Sequence, residues 1–270
     1  QPNAMGGREV GALSNLLAAH LELGDSKDTE LLSRFWQVDE HDIAREPGLK
    51  AVDLFDAIEA GQIKALWVMA TNPAVTLPNA GQVRRALEMC PLVIVSDCYR
   101  ESDTVAYADV LFPAAPWGEK DGTVTNSERR ISRARSFLEP LGEARPDWWI
   151  ISQVAQRMGY TDAFAFDDPA AIFDEHARLS AFENEGARSF HIGGLSGLER
   201  ADYEGLSPVQ WPVREPHDRG TARMFEDGAF LGEMGKAQLF AVHSQLAAMP
   251  TDFAFPLLLN TGRIRDQWHT

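Results

Sequence analysis

The chain has 270 residues, with 25 Lys and Arg against 40 Asp and Glu and a formal net charge of −15. At about 150 residues per domain the length suggests one large domain or two small ones, and 44% hydrophobic residues can build a sizeable core. The acidic balance argues against nonspecific nucleic-acid binding, no apolar run approaches the ~18 residues that cross a bilayer, and two cysteines exclude a disulfide framework or a thiolate-held cluster.

The chain opens Gln1-Pro2-Asn3 with no signal-peptide pattern and stops at Trp268-His269-Thr270, straight after a strand-like run; it reads as a segment of something longer. Val10, Leu13, Leu16 and Leu17 recur at helical spacing after a flexible Met5-Gly6-Gly7 turn, whereas residues 21 to 50 mix charge with Gly and Pro and read as an irregular connection. Asp53 opens a short helix, Leu54 to Ala60, closed by Gly61.

An α/β pattern follows. Ala65 to Ala70 is a continuous apolar run, the mark of a strand buried on both faces. The Thr71-Asn72-Pro73 turn and a helix carrying Val83, Ala86, Leu87 and Cys90 lead to a second strand, Leu92 to Val95, ending at Ser96-Asp97. A helical stretch from Asp103 to Ala108 precedes a third strand, Asp109 to Phe112, stopped by Pro113. Alternation at this spacing implies a parallel sheet, with ligands beyond the carboxyl ends of its strands.

Asp147 to Met158 reads as an amphipathic helix with Trp149, Ile150, Val154 and Met158 on its apolar side, and Pro169 to Leu179 as another with Pro at its first position. The Gly and Pro density of residues 183 to 220 predicts an extended loop region. Phe225 to Phe230 resembles a hairpin with an Asp-Gly turn, Lys236 to Val242 a short strand, and Phe253 to Leu259 a last apolar run.

Dinucleotide, P-loop, zincin and nucleophile-elbow motifs are missing, and His20, His41, His176, His191, His217, His243 and His269 show no metal-ligand spacing. Cys90 and Cys98 read as structural thiols. Asn72, Ser96 and Asp97 stand where a nucleotide is read at a sheet edge, and equally where helix caps and Asx turns occur. Lys120 sits in a Gly-flanked loop open to a phosphate or a ring system. Arg129, Arg130, Arg133 and Arg135 form a basic cluster suited to phosphate, or a solvated hairpin paired to neighbouring Glu residues. Arg8, beside a Gly pair at a helix start, can hold a small oxyanion or pair with Glu9. Thr261-Gly262-Arg263 and Trp268-His269-Thr270 offer donors and a stacking ring, or a plain strand-turn.

Taken in order, Gln1 to Gly11, Thr71-Asn72-Pro73, Ala108 to Ala115, Trp117 to Thr123, Asn126 to Arg130 and Thr261-Gly262-Arg263 resemble the molybdenum bis(molybdopterin guanine dinucleotide) oxidoreductases, most nearly their bacterial assimilatory nitrate-reducing branch. The resemblance covers nearly the whole chain, most weakly at 21–50 and 183–220. It implies an α/β fold with a Rossmann-like parallel sheet and flanking helices over residues 1–165, an irregular α+β extension over 166–248, and over 249–270 the first strand of a C-terminal barrel. By motif it implies that Asn72, Ser96, Asp97, Lys120 and Asp147 contact a pterin guanine dinucleotide. It also implies that Thr261, Gly262, Arg263, Trp268, His269 and Thr270 touch the pterin side, and that Arg8 lines a substrate funnel.

The implied reaction is nitrate reduction to nitrite in a parent enzyme, with molybdenum bound by no residue of this segment. Electrons come from a ferredoxin, flavodoxin or NAD(P)H-linked donor through a 4Fe-4S cluster held outside it, and the implied location is cytoplasmic. The segment alone should be inactive. A formate dehydrogenase of the same superfamily, or a non-catalytic Rossmann-like binding module, are the alternatives.

Overall fold

The computed structural model describes residues 3–232, 235–244 and 250–258. Helix α1 is Ala4–Glu9, so Gly6 and Gly7 lie inside a helix and not in a turn before one. A Cβ on Gly6 would come within 2.0 Å of Asn3 Oδ1, which accepts from the Thr125 backbone N–H at 2.9 Å. The glycine thus admits the side chain that pins α1 to a distant strand. The expected helix through Leu17 does not form, because the chain turns at Gly11 with φ +68° and leaves Val10 and Leu13 exposed. A 3-10 turn, Ala18–His20, then carries the chain into a core with Leu17 and Leu21.

Helix α2, Ser26–Trp36, occupies the stretch expected to be irregular. Asp25 caps it, accepting from Lys27 N at 2.8 Å and Asp28 N at 3.1 Å, and its Leu31 and Leu32 are buried. The charges around this cap conceal the apolar face.

Helix α3 (Ala51–Glu59), strand β1 (Leu66–Met69), helices α4 (Pro73–Thr76) and α5 (Ala80–Met89), strand β2 (Val93–Asp97) and strand β3 (Val110–Pro113) then build a parallel sheet of order β1-β2-β3. Leu66 pairs with Val93 and Ile94 with Val110. The stretch before β3 is only a 3-10 turn, Val105–Tyr107. Val68, Val93 and Val95 pack one sheet face against Phe55, Ile58, Val83, Ala86 and Leu87. The opposite face, with Trp67 and Met69 half-buried and Val110 exposed, is not closed by the described residues, which bury the strands fully on one side only.

Residues 116–135, which offered either a ligand loop or a hairpin, form a hairpin. Strands β4 (Gly122–Thr125) and β5 (Arg130–Ala134) are antiparallel, and β6 (Val209–Gln210) adds to β5. Helix α6 (Asp147–Arg157) buries Ile150, Ser152 and Ala155, while Trp149 and Met158 of its expected apolar side are exposed. Helices α7 (Pro169–Ala181) and α8 (Arg200–Gly205) follow.

The larger core joins Leu17 to Ile43 with Ile131, Phe173, Phe190, Ile192, Tyr203, Trp211 and Val213. It therefore runs across residue 165, and the stretch 183–220 is a core-forming segment rather than a loop laid over the surface. Of the expected later strands none forms among the described residues. Phe225 to Phe230 make a turn, Gly228 N to Phe225 O at 3.0 Å, with the two rings stacked at 4.9 Å. Leu239, Val242 and Phe253 are exposed in stretches without strand pairing. A strand needs a neighbour, and these runs have none here. Residues 259–270, with Thr261, Gly262, Arg263, Trp268, His269 and Thr270, lie outside the described residues.

Candidate functional site

The carboxyl edge of the parallel sheet gathers five of the residues singled out. Asn72 follows β1 and stands at the cap position of α4, but its side chain does not cap that helix. Its Oδ1 instead accepts from Thr104 Oγ1 at 2.6 Å and from Thr104 N at 3.2 Å. Ser96, at the end of β2 and 1% exposed, accepts from Trp67 Nε1 at 2.9 Å. Asp97 makes the expected Asx turn, accepting from Tyr99 N at 2.9 Å, and also accepts from Ser102 Oγ at 3.3 Å. The ordinary structural role therefore holds at Asp97 and fails at Asn72.

Lys120 and Asp147 reach the same edge. Ala114 N donates to Asp97 O, and Arg145 N to Pro113 O, which sets the first turn of α6 beside the strand ends. Lys120 Nζ contacts Asp147 Oδ2 at 2.5 Å, with about a third of each side chain open to solvent. Asp147 also stands where a helix N-terminus favours negative charge. Cys98 is exposed here and is no core thiol, unlike Cys90, which is buried and bonded to Leu92 O. Partial burial and the adjacent Asp97 push the Cys98 thiol up, and the Lys120 charge opposes them.

The arginine cluster is largely engaged within the fold. Arg133, 1% exposed in its side chain, pairs with Asp121 at 2.7 Å and stacks 3.9 Å from the Tyr203 ring centroid. Arg129 donates to the carbonyls of Trp211, Thr221 and Ala222, Arg130 to Gln210, and Arg135 to the Glu204 carbonyl. These forks join the hairpin to the 200–222 segment. Their partners are mostly carbonyls of that segment and not the neighbouring Glu residues.

Arg8 stands apart from the sheet edge, in the last turn of α1 and not at a helix start, so carbonyls rather than free N–H groups lie near it, and those of Gly6, Gly7 and Arg8 already accept from Val10, Ala12 and Gly11. It is exposed, and it does not pair with Glu9. Glu9 points inward, accepting from Trp211 Nε1 at 2.6 Å and from Thr125 Oγ1 at 2.8 Å, with His176 Nε2 at 3.8 Å. Glu9 and His176 line a cavity of about 90 Å³ closed by Asn3, Thr123, Ile131 and Phe173. Among the described residues no cluster of His, Cys, Asp and Glu is arranged to hold a metal. Sequence reasoning passed over Thr104, Trp67 and the inward carboxylate of Glu9. The spacing of a lone Thr in a Ser-Asp-Thr run gave no sign of the first.

Comparison with known proteins follows the same residues. Over 270 residues the chain is 50% identical to a nitrate reductase of Klebsiella oxytoca, all of this chain against 30% of that protein. It is 48% identical over 277 residues to a nitrate reductase of Shewanella frigidimarina, covering 29% of it. A formate dehydrogenase subunit alpha of Methanocaldococcus jannaschii is 32% identical over 271 residues, with 37% of its length covered. The chain thus spans about a third of the length of these relatives. Residues 3–157 match the molybdopterin oxidoreductase family, from α1 through the parallel sheet to the end of α6. The chain belongs to the molybdopterin oxidoreductase family.

Proposed function

We propose that the chain is part of the catalytic subunit of an assimilatory nitrate reductase, in which nitrate is reduced to nitrite. The observation that carries this reading is that relatives at 50% and 48% identity are named nitrate reductases, whereas those named formate dehydrogenase stand at 34% and 32%, in the range of more distant nitrate reductases at 33% and 30%. The cofactor in this reading is molybdenum bis(molybdopterin guanine dinucleotide), which supplies redox-active molybdenum able to take an oxygen atom from nitrate; the protein binds and orients it.

The donor set at the sheet edge fits a nucleotide. Asp97 offers carboxylate acceptors to base N–H groups or ribose hydroxyls, Asn72 offers amide N–H groups, and Lys120 with Asp147 offers one cation and one anion at partly exposed positions. In this reading Asn72, Ser96, Asp97, Lys120 and Asp147 hold the dinucleotide, with Lys120 close enough to a pterin to tune it. Arg8 attracts and orients nitrate, its guanidinium exposed on an acidic chain. Thr261, Gly262, Arg263, Trp268, His269 and Thr270 belong to the same pocket on the pterin side. Residues 1–165 act as the Rossmann-like cofactor domain, 166–248 as its extension and 249–270 as the start of a barrel. A 4Fe-4S cluster outside the segment receives electrons from a ferredoxin, flavodoxin or NAD(P)H-linked donor in the cytoplasm. Among the described residues no helix is long and apolar enough to cross a membrane.

The test uses the purified full-length protein. Molybdenum and acid-released guanosine monophosphate are quantified per chain, and nitrate reduction with a reduced viologen dye is compared with formate oxidation. Nitrate turnover without formate oxidation is expected. Formate oxidation alone would transfer the assignment to the dehydrogenases, and absence of both molybdenum and nucleotide would end it.

A further inference from the structure

We propose that Thr104 is a positioning residue: it locks the Asn72 carboxamide so that only N–H groups face the sheet edge, and a bound nucleotide must present an acceptor oxygen there. The inference rests on the reading of that edge as a dinucleotide site. It adds a residue and a polarity to that reading.

The orientation follows from hydrogen-bond arithmetic. Backbone N–H of Thr104 is a donor only, so the atom facing it at 3.2 Å is an oxygen, Oδ1 of Asn72. The Thr104 hydroxyl accepts from Ala74 N at 3.2 Å, which leaves its own proton for Asn72 Oδ1 at 2.6 Å. Flipping the amide would set N–H against N–H and leave two donors of a fully buried residue, 0% exposed, without an acceptor. Oδ1 is therefore held inward and Nδ2 outward. Asn72 is half-buried, and its Nδ2 makes no hydrogen bond among the described residues.

Placement gives the lock its use. Thr104 lies in the connection between β2 and β3, 32 residues from Asn72, so the bond ties the end of β1 to the far side of its neighbour. Asn72 then offers donors at the end of β1, while Asp97 offers acceptors at the end of the adjacent β2. A side chain free to rotate would present either polarity and select for neither. Preorganised donors lose less on binding than donors that must be ordered.

The experiment uses the full-length holoenzyme carrying Asn72→Asp, Thr104→Val or Thr104→Ser, and reads guanosine monophosphate retained per chain against time after gel filtration, from pH 5 to 8. Melting temperature is read in parallel. In Asn72→Asp both Thr104 donors still have an oxygen to bond, so the fold is kept, but a carboxylate oxygen now faces the ligand's acceptor. Nucleotide loss at pH 7.5 should be about tenfold to a hundredfold faster. A merely structural role for Asn72 would lower the melting temperature without speeding nucleotide loss from the folded protein. Thr104→Val should speed loss about tenfold and Thr104→Ser should restore it. Retention in Asn72→Asp equal to the parent protein at every pH overturns the proposal, as does a Thr104→Val that folds and retains nucleotide normally. If Thr104→Val does not fold, Asn72→Asp decides. A parent protein that melts normally yet holds no guanosine nucleotide fails differently, because it removes the dinucleotide reading on which this inference stands.

Discussion

In the antiparallel half of the molecule Arg133 is 1% exposed and stacked between Asp121 and Tyr203, and Glu9 is 2% exposed with both carboxylate oxygens engaged. At the edge of the parallel sheet Lys120 and Asp147 keep about a third of their surface in water, and the Asn72 amide N–H groups have no partner among the described residues. Both regions are rich in polar residues that a sequence reader would nominate for ligand binding. In the first, most of those groups join α1, the hairpin and the 200–222 segment, although Arg133 Nε and the Tyr203 hydroxyl stay buried without a partner among the described residues. In the second, partly exposed groups keep hydrogen-bonding capacity. In the proposed reading, accessible spare valence at the sheet edge marks the site, and charge density alone does not.

The sharpest way to break this comparison is Glu9→Ala. It leaves Trp211 Nε1 and the buried Thr125 hydroxyl without their acceptor and opens space beside a cavity that already exists. Leaving two buried donors without their acceptor costs about 3 kcal/mol. Denaturant unfolding of the full-length protein should show the midpoint falling accordingly. A loss below about 1 kcal/mol would mean that Glu9 is not part of the framework and that this half also has capacity to spare.

Acidification probes the same core more gently. Burial lowers the pKa of His20 below 6.5; the charges of His176 and Arg8 add to this and Glu9 opposes it. His20 Nε2 is buried with no partner among the described residues, and its ring packs on Phe190 and Trp211. His191 is lowered too, by burial and by Arg214. For a base depressed in the folded state, the unfolded chain binds more protons between the folded value and 6.5. Stability is therefore full above pH 6.5, falls as pH drops through it, and levels off below the folded values. Melting temperatures from pH 8 to 5 should trace that curve, and His20→Leu should flatten it. A flat curve for the parent protein would show that folding displaces neither ring's titration.

The contrast also explains how much could be read beforehand. The parallel sheet was legible because Leu66 to Met69, Val93 to Val95 and Val110 to Phe112 are apolar runs set off by Asn, Pro and Asp. Local pattern suffices where a strand's neighbours are near in sequence. The larger core was not legible. Leu17, Phe173 and Trp211 meet across nearly two hundred residues, and no periodicity in any one window announces that meeting. The same holds within the site. Asp97 bonds two residues away and its Asx turn was foreseen, whereas Asn72 bonds across 32 residues and its partner was not. Gly6 shows the same limit: its sequence context predicts a flexible turn, but the residue is small because Asn3 folds over it.

A smaller effect is expected just before the site. Ala70 closes β1 with φ +53° and donates to Ser96 O at 3.0 Å, turning the chain toward Asn72. A left-handed non-glycine residue costs roughly 1–2 kcal/mol, and glycine gives back roughly 0.5–1 through its freer unfolded chain. Ala70→Gly should therefore stabilise by about 0.5 kcal/mol, read as a small rise in melting temperature. A fall would mean that the Ala70 methyl makes contacts worth more than the strain.

The smallest effect on the fold is expected at Lys120, and that smallness makes the variant useful. A half-exposed ion pair contributes about 0–1 kcal/mol, because water competes for both partners and two long side chains must be held still. Lys120→Met keeps the aliphatic stem and removes only the charge, so the melting temperature should move by a degree or two at most. Asp147 retains the favourable field at the start of α6 and needs no partner there. Stability thus reports almost nothing at this position, while molybdenum and nucleotide content in the full-length protein report on the edge directly. A clear drop in that content at unchanged stability would set Lys120 apart from Arg133, whose charge serves the fold. Unchanged content together with a large loss of stability would place Lys120 in the framework and erase the distinction between the two sheets.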